Sequence, residues 1–200
     1  VFTYCEKITE LDLSSWDTSN VTDMYSLFYD CSKLQTISFP EDGAGNKWDT
    51  RKVTNMVQLF GNCYDLNPVD VSNWDTGSVT NMAYMFANCK KFDKLDLSRW
   101  DTGSVTDMAG MFTNCSGLKE ITLRQGWKFK FTQCDLPEVL YVKNGDTYSV
   151  YNNDDFPITA TTTFYTQKGL RAFAVVYDNG TNGKIATLYK RYVDKMPEPG

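Results

Sequence analysis

The tripeptide Trp-Asp-Thr occurs four times, opening at Trp16, Trp48, Trp74 and Trp100, with intervals of 32, 26 and 26 residues between the tryptophans. A cysteine follows each tryptophan by 15 residues, at Cys31, Cys63, Cys89 and Cys115, so a second anchor reports the same period. Such a period restricts a chain to architectures in which each unit buries its apolar face only against its neighbours. Residues 74–97, WDTGSVTNMAYMFANCKKFDKLDL, align without a gap on 100–123, WDTGSVTDMAGMFTNCSGLKEITL. The Phe-x-x-Cys step of each unit also appears at Phe2/Cys5, which predicts that the chain begins inside a repeat and that further repeats or a cap lie upstream. One unit carries six extra residues near Pro40-Glu41-Asp42-Gly43-Ala44-Gly45, a composition that reads as a surface loop.

After Leu123 the period fails. Phe131 and Cys134 repeat the Phe-x-x-Cys step without a Trp-Asp-Thr, as an atypical terminal unit would. From about residue 137 tyrosine, valine and threonine dominate, and the turn pairs Asn144-Gly145 and Asn179-Gly180 point to hairpins. Residues 166–200 hold six basic and three acidic side chains, against fourteen and twenty-two in 1–165. The expected organisation is therefore a repeat array over 1–124, a cap over 125–165, and a β-rich module or the start of a further domain over 166–200.

Within a unit, Val79, Met82, Met85, Phe86 and Cys89 follow steps of 3, 3, 1 and 3, the apolar face of a short helix that Thr80 would cap. Leu95 and Leu97 flank Asp96 as in a half-buried strand. The fold class expected is thus an α/β solenoid, a leucine-rich-repeat-like stack of short helices and short parallel strands, followed by a small β-rich C-terminal region. Its strands are expected at Glu10–Ser14, Thr36–Pro40, Pro68–Ser72, Lys94–Ser98 and Glu120–Arg124, forming one continuous sheet with a polar open face.

The repeat as it stands at 11–31 and 95–115, Leu-Asp-Leu-Ser-x-Trp-Asp-Thr-x-x-Val-Thr-Asp-Met-x-x-Leu/Met-Phe-x-x-Cys, resembles that of BspA-like leucine-rich-repeat surface proteins of bacteria. The resemblance covers positions 1 to 124. It implies an exported or wall-anchored protein, located outside the cell at the bacterial surface. It also implies adhesion to an extracellular protein of host matrix, serum or mucosa, or to another bacterial surface protein, with virulence as a corollary. No site residue is carried over with it.

Composition narrows the chemistry. The net charge of −5 and pI near 4.8 suit neither phosphate backbones nor anionic lipid, so neither nucleic acid nor membrane insertion is expected. With no histidine, Ser-His, Cys-His and His-zinc chemistries are absent, and the chain is read as a non-enzyme without cofactor or metal. The cysteines, one per unit at one position, read as buried thiols, with a Cys5–Cys31 disulfide as the alternative. The tryptophans read as a packed spine or as a stripe for sugars. Asp17, Asp49, Asp75 and Asp101 read as turn-closing residues or as calcium ligands.

Two functions remain. In the first, the array binds a protein partner, with a glycan as the other partner class, through the sheet face and loop: Glu10, Asp12, Asp42, Asp70, Lys94, Asp96, Glu120 and Arg124. The exposed aromatic candidates for that contact are Tyr25, Tyr29, Tyr64 and Tyr84. In the second, the array is a stalk that presents a flanking domain and has no binding activity of its own.

Overall fold

The structure, a computed structural model, describes residues 2–40, 48–127, 129, 133–136, 140–144, 147–151, 158 and 160–166. Its strands are β1 (Glu10–Asp12), β2 (Thr36–Ser38), β3 (Lys94–Leu97), β4 (Glu120–Leu123), β5 (Tyr141–Asn144), β6 (Thr147–Val150) and β7 (Thr162–Tyr165). They form a two-stranded sheet, β1-β2, and a five-stranded sheet in the order β3-β4-β7-β5-β6. Among the described residues there is no α-helix, so the expected α/β solenoid of helices and strands is not what this sequence builds.

Backbone hydrogen bonding explains the missing helices. In residues 82–89 the alternate N–H groups of Met82, Tyr84, Phe86 and Asn88 donate to the carbonyls of Asp107, Ala109, Met111 and Thr113 in the next repeat. The intervening N–H groups of Met85, Ala87 and Cys89 close tight turns onto Met82, Tyr84 and Phe86. Every donor has a partner without a helical i−4 bond. Tyr84 and Asn88 sit at φ of 57° and 63°, as do Gln58 and Asn62 at 55° and 63°, and a left-handed residue every fourth position ends any right-handed helix. Thr80 caps nothing; its Oγ1 donates to the carbonyl of Thr54 one repeat earlier.

These tandem turns bury Met82, Met85, Phe86 and Cys89 and turn Tyr84 outward. Their four-residue period puts inward positions at i, i+3, i+4 and i+7, the spacing of a helix face, which is why the pattern reads as a helix. Parallel bridges Asp23↔Asn55, Asn55↔Asn81 and Asn81↔Asp107 join successive units along the same line. Behind them Phe2, Phe28, Phe60, Phe86 and Phe112 stack with ring centroids 5.9, 5.4, 5.7 and 6.1 Å apart and planes within 11°. The tryptophans pack beside this column. Trp74 and Trp100 are buried and stack at 6.5 Å, as the packed-spine reading has it and the alternative sugar stripe does not, while Trp16 is 40% exposed.

The expected continuous sheet is broken. β1 and β2 pair in parallel, as do β3 and β4, but residues 68–72 form no strand between them. Pro68 removes a ladder donor there, and Val69 and Val71 turn toward the core without pairing. Beyond β4, β7 runs antiparallel to it and Thr122 and Thr163 share a hydroxyl hydrogen bond of 2.8 Å, so the segment after the array covers the edge of its last strand. Cys134 does not extend the cysteine column: its carbonyl accepts from Phe112 N–H, the place that Leu59, Met85 and Met111 take in earlier units. β5 and β6 pair antiparallel with Asn144 opposite Thr147. The module expected over 166–200, with its Asn179-Gly180 turn, lies outside the described residues except for Thr166.

Close approach of units makes one glycine obligatory. A Cβ on Gly117 would lie 2.2 Å from the carbonyl oxygen of Lys90, a backbone atom that cannot swing aside. We expect Gly117→Ala to lower the unfolding free energy by about 1–3 kcal/mol in urea titration; an unchanged midpoint would show that the two units are not held this close.

Candidate functional surface

Each Trp-Asp-Thr makes three different connections. The tryptophan packs toward the core, fully buried at Trp74 and Trp100, half-buried at Trp48 and 40% exposed at Trp16. The aspartate closes its own turn: Oδ1 of Asp17, Asp49, Asp75 and Asp101 accepts from the N–H of Ser19, Arg51, Gly77 and Gly103 at 2.9–3.0 Å. The buried threonine ties units together, Thr18, Thr50 and Thr76 donating to the carbonyls of Asp49, Asp75 and Asp101. The acidic column is thus turn chemistry.

The sheet-face candidates do not gather into one surface. Glu10 and Asp12 stand on the first sheet, Lys94, Asp96 and Glu120 on the second, and Asp70 on the unpaired stretch between them. Asp42 lies outside the described residues. Lys94 Nζ pairs with Glu120 at 3.3 Å and Arg124 with Asp101 at 3.1 Å, so these charges are matched within the molecule. Exposed pairs of this kind add little stability. Oδ1 of Asp12, Asp70 and Asp96 accepts from the N–H of Ser14, Ser72 and Ser98. Hydrogen bonds from Ser14 and Ser72, side chain first and backbone second, hold Asp12 and Asp70 below the usual carboxylate range.

The tyrosines divide by exposure. Tyr25 is 54% and Tyr84 46% exposed, whereas Tyr29 and Tyr64 are half-buried. Tyr29 meets Tyr4 edge-on at 5.6 Å and accepts a hydrogen bond from Asn62 Nδ2, while Lys90 Nζ lies 5.0 Å from the centre of the Tyr64 ring. Tyr4, at 64%, is a further exposed aromatic that the sequence did not single out, and Trp16 is exposed where Trp74 and Trp100 are not, because only the position of neighbouring units decides which rings are covered. An asparagine ladder was also missed: Asn88 Nδ2 donates to Asn62 Oδ1, and Asn114 Nδ2 to Asn88 Oδ1. Its signal was present, an Asn before each of Cys63, Cys89 and Cys115.

The thiols form no disulfide. Cys31, Cys63, Cys89 and Cys115 each donate Sγ–H to the carbonyl of the phenylalanine one unit earlier, Phe2, Phe28, Phe60 and Phe86, at 3.0–3.3 Å. Burial pushes Cys31 up to about 11 and Cys115 and Cys134 up to about 12, and raises Cys63 and Cys89 as well. Folding therefore favours the protonated thiol. Since an unfolded thiol ionises near 8.5, this stability is complete below about pH 8.5 and is lost as pH rises toward the folded values. We expect the Tm to hold between pH 7 and 8 and to fall above about pH 9. At pH 8 a soluble disulfide reagent should modify half-buried Cys5 well before the five others; equal rates for all six would contradict this packing.

Among the described residues, no group of three or more acidic or cysteine side chains is placed to hold a metal ion, and no helix is long and apolar enough to cross a membrane. No curated protein and no solved structure matches the chain. A family of repeat proteins does match, over residues 1–40 and 35–134, the stretch that contains every Trp-Asp-Thr unit. It is related to BspA-like repeats, but the match carries no leucine-rich-repeat assignment. With more than half of its length covered, the chain belongs to the family described as Mycoplasma protein of unknown function, DUF285.

Proposed function

We propose that the chain is a protein-binding repeat module of a bacterial surface or secreted protein, contacting an extracellular protein of a host or of another cell. The observation that supports this reading is a set of exposed aromatic side chains, Tyr4, Trp16, Tyr25 and Tyr84, on a frame whose backbone donors are matched between units. Tyrosine offers large contact area with few rotatable bonds, so a rigidly mounted tyrosine loses little entropy on binding. The sheet-face residues Glu10, Asp12, Asp70, Lys94, Asp96, Glu120 and Arg124 are the lesser part of the proposal, since Lys94, Glu120 and Arg124 are paired within the molecule and Asp12, Asp70 and Asp96 accept from nearby backbone N–H groups.

The test is affinity capture of serum, saliva and matrix proteins on the immobilised chain, compared with Tyr4→Ser/Tyr25→Ser and with Asp70→Asn/Lys94→Gln/Asp96→Asn. The expected result is a saturable partner that the tyrosine variant loses by about tenfold or more without a change in Tm. Loss confined to the charge variant would move the contact to the sheet face. Repeated absence of any saturable partner would replace the binding module with the stalk.

A further inference from the structure

The turn side of the array differs in chemistry from everything around it. In a chain that is 22% charged, the stretches 53–64, 76–89 and 108–118 contain no Asp, Glu, Lys or Arg. In the two middle units Tyr84 is exposed and Gln58, Asn62 and Asn88 are half-buried, with the small residues Gly61, Ala83 and Ala87 buried between them. Carboxylates border these stretches: Asp107 next to Asn81, Asp30 at one end and Asp135 at the other, where Asp135 accepts from Thr113 Oγ1 at 2.5 Å.

In the middle, the Tyr84 ring lies along the array over Gly110. The space a Cβ would take on Gly110 is filled by that ring, 2.3 Å from Cε1 and 2.6 Å from Cδ1, with Thr113 Oγ1 at 2.9 Å. The ring is thus laid down on backbone, held from below, and 46% exposed. Beside it runs the ladder Asn62, Asn88, Asn114. Each amide directs one N–H to the preceding unit, toward Tyr29 Oη, Asn62 Oδ1 and Asn88 Oδ1 respectively, and an amide nitrogen carries two N–H groups. The second N–H of each is a fixed donor, repeated at the roughly 4.8 Å spacing of parallel-paired backbone.

From this combination we infer that the turn face binds a neutral glycan chain, one sugar ring stacked on Tyr84 and its hydroxyls or ring substituents accepting from Asn88 and Asn114. A pyranose has a flat C–H face that suits an aromatic plane and a rim of hydroxyls that suits amides. An acidic glycan would meet carboxylates at Asp30, Asp107 and Asp135, and the nearest cation, Lys90, lies over the Tyr64 ring beyond the edge of the stretch. The proposal shares Tyr84 with the protein-binding reading but not Tyr4, Trp16 or Tyr25, and it adds Asn88 and Asn114; Tyr4→Ser/Tyr25→Ser leaves this face intact and Asn88→Asp leaves those tyrosines intact, so either reading can fail alone.

The test uses the full chain and a panel of neutral tetrasaccharides, of β-linked glucose, β-linked N-acetylglucosamine and α-linked mannose, beside uronic-acid and sulfated tetrasaccharides. Binding is read by saturation-transfer NMR and by shifts of side-chain amide resonances. The expected result is saturable binding of at least one neutral member, unaffected by 0.5 M salt, with the largest shifts at Asn88 and Asn114. Tyr84→Ala should weaken it about tenfold and Tyr84→Phe should retain it. Asn88→Asp, which keeps the ring and adds a charge, should weaken it too, so the test does not depend on Tyr84→Ala folding. No neutral ligand, binding of acidic members only, or amide shifts confined elsewhere would overturn the inference.

Discussion

Alternate backbone N–H groups of residues 24–30, 56–62 and 82–88 are donated to carbonyls of the following unit, and the other features of the array depend on that direction of bonding. A helix satisfies its backbone within itself and needs neighbours only for its apolar face. Here the backbone is satisfied only by a neighbour, so units must lie at the separation of paired strands. That separation stacks the phenylalanines at 5.4–6.1 Å, brings each cysteine Sγ under a carbonyl of the unit before, and lines up the asparagine amides. It also requires left-handed residues at Ser26, Gln58, Tyr84 and Gly110 and again at Asp30, Asn62, Asn88 and Asn114.

Those left-handed positions connect fold to surface. Asn and Asp tolerate φ near +60° better than most side chains, which explains the residue before Cys31, Cys63, Cys89 and Cys115, while Tyr4 takes the same conformation before Cys5. The other series holds serine, glutamine, tyrosine and glycine, and non-glycine members are strained unless the surroundings hold them. Tyr84 is held twice, by its place in the cross-unit ladder and by the ring's rest on Gly110, whose missing side chain makes room for it. The exposed ring that the binding proposals use is therefore fixed before any partner arrives.

Much of this was legible in the sequence and some of it could not be. The period, the units, the turn-closing aspartates and the inward cysteines were all readable, because each follows from one residue type recurring at one place. The helix was misread because inward positions at i, i+3, i+4 and i+7 are common to a helix face and to a run of four-residue turns; only the fate of the N–H of Gln58 or Phe60 separates them. The single sheet was misread because Val69 and Val71 alternate as Leu95 and Leu97 do, although Pro68 precedes them. On the surface, the residue types of the candidates were visible but not their company. Lys94 and Arg124 were named as binding candidates and are paired, and Trp16 and Trp100 read alike although one is 40% and the other 1% exposed.

The cross-unit ladder can be observed directly through scalar couplings across hydrogen bonds in the uniformly labelled protein. Coupling from the Phe60 amide nitrogen should appear at the Met85 carbonyl carbon, and from Phe86 at Met111, at bond lengths of 2.9 and 3.0 Å. Couplings from Phe60 to Met56 and from Phe86 to Met82, the i−4 partners of a helix, would contradict the account and restore the helical unit.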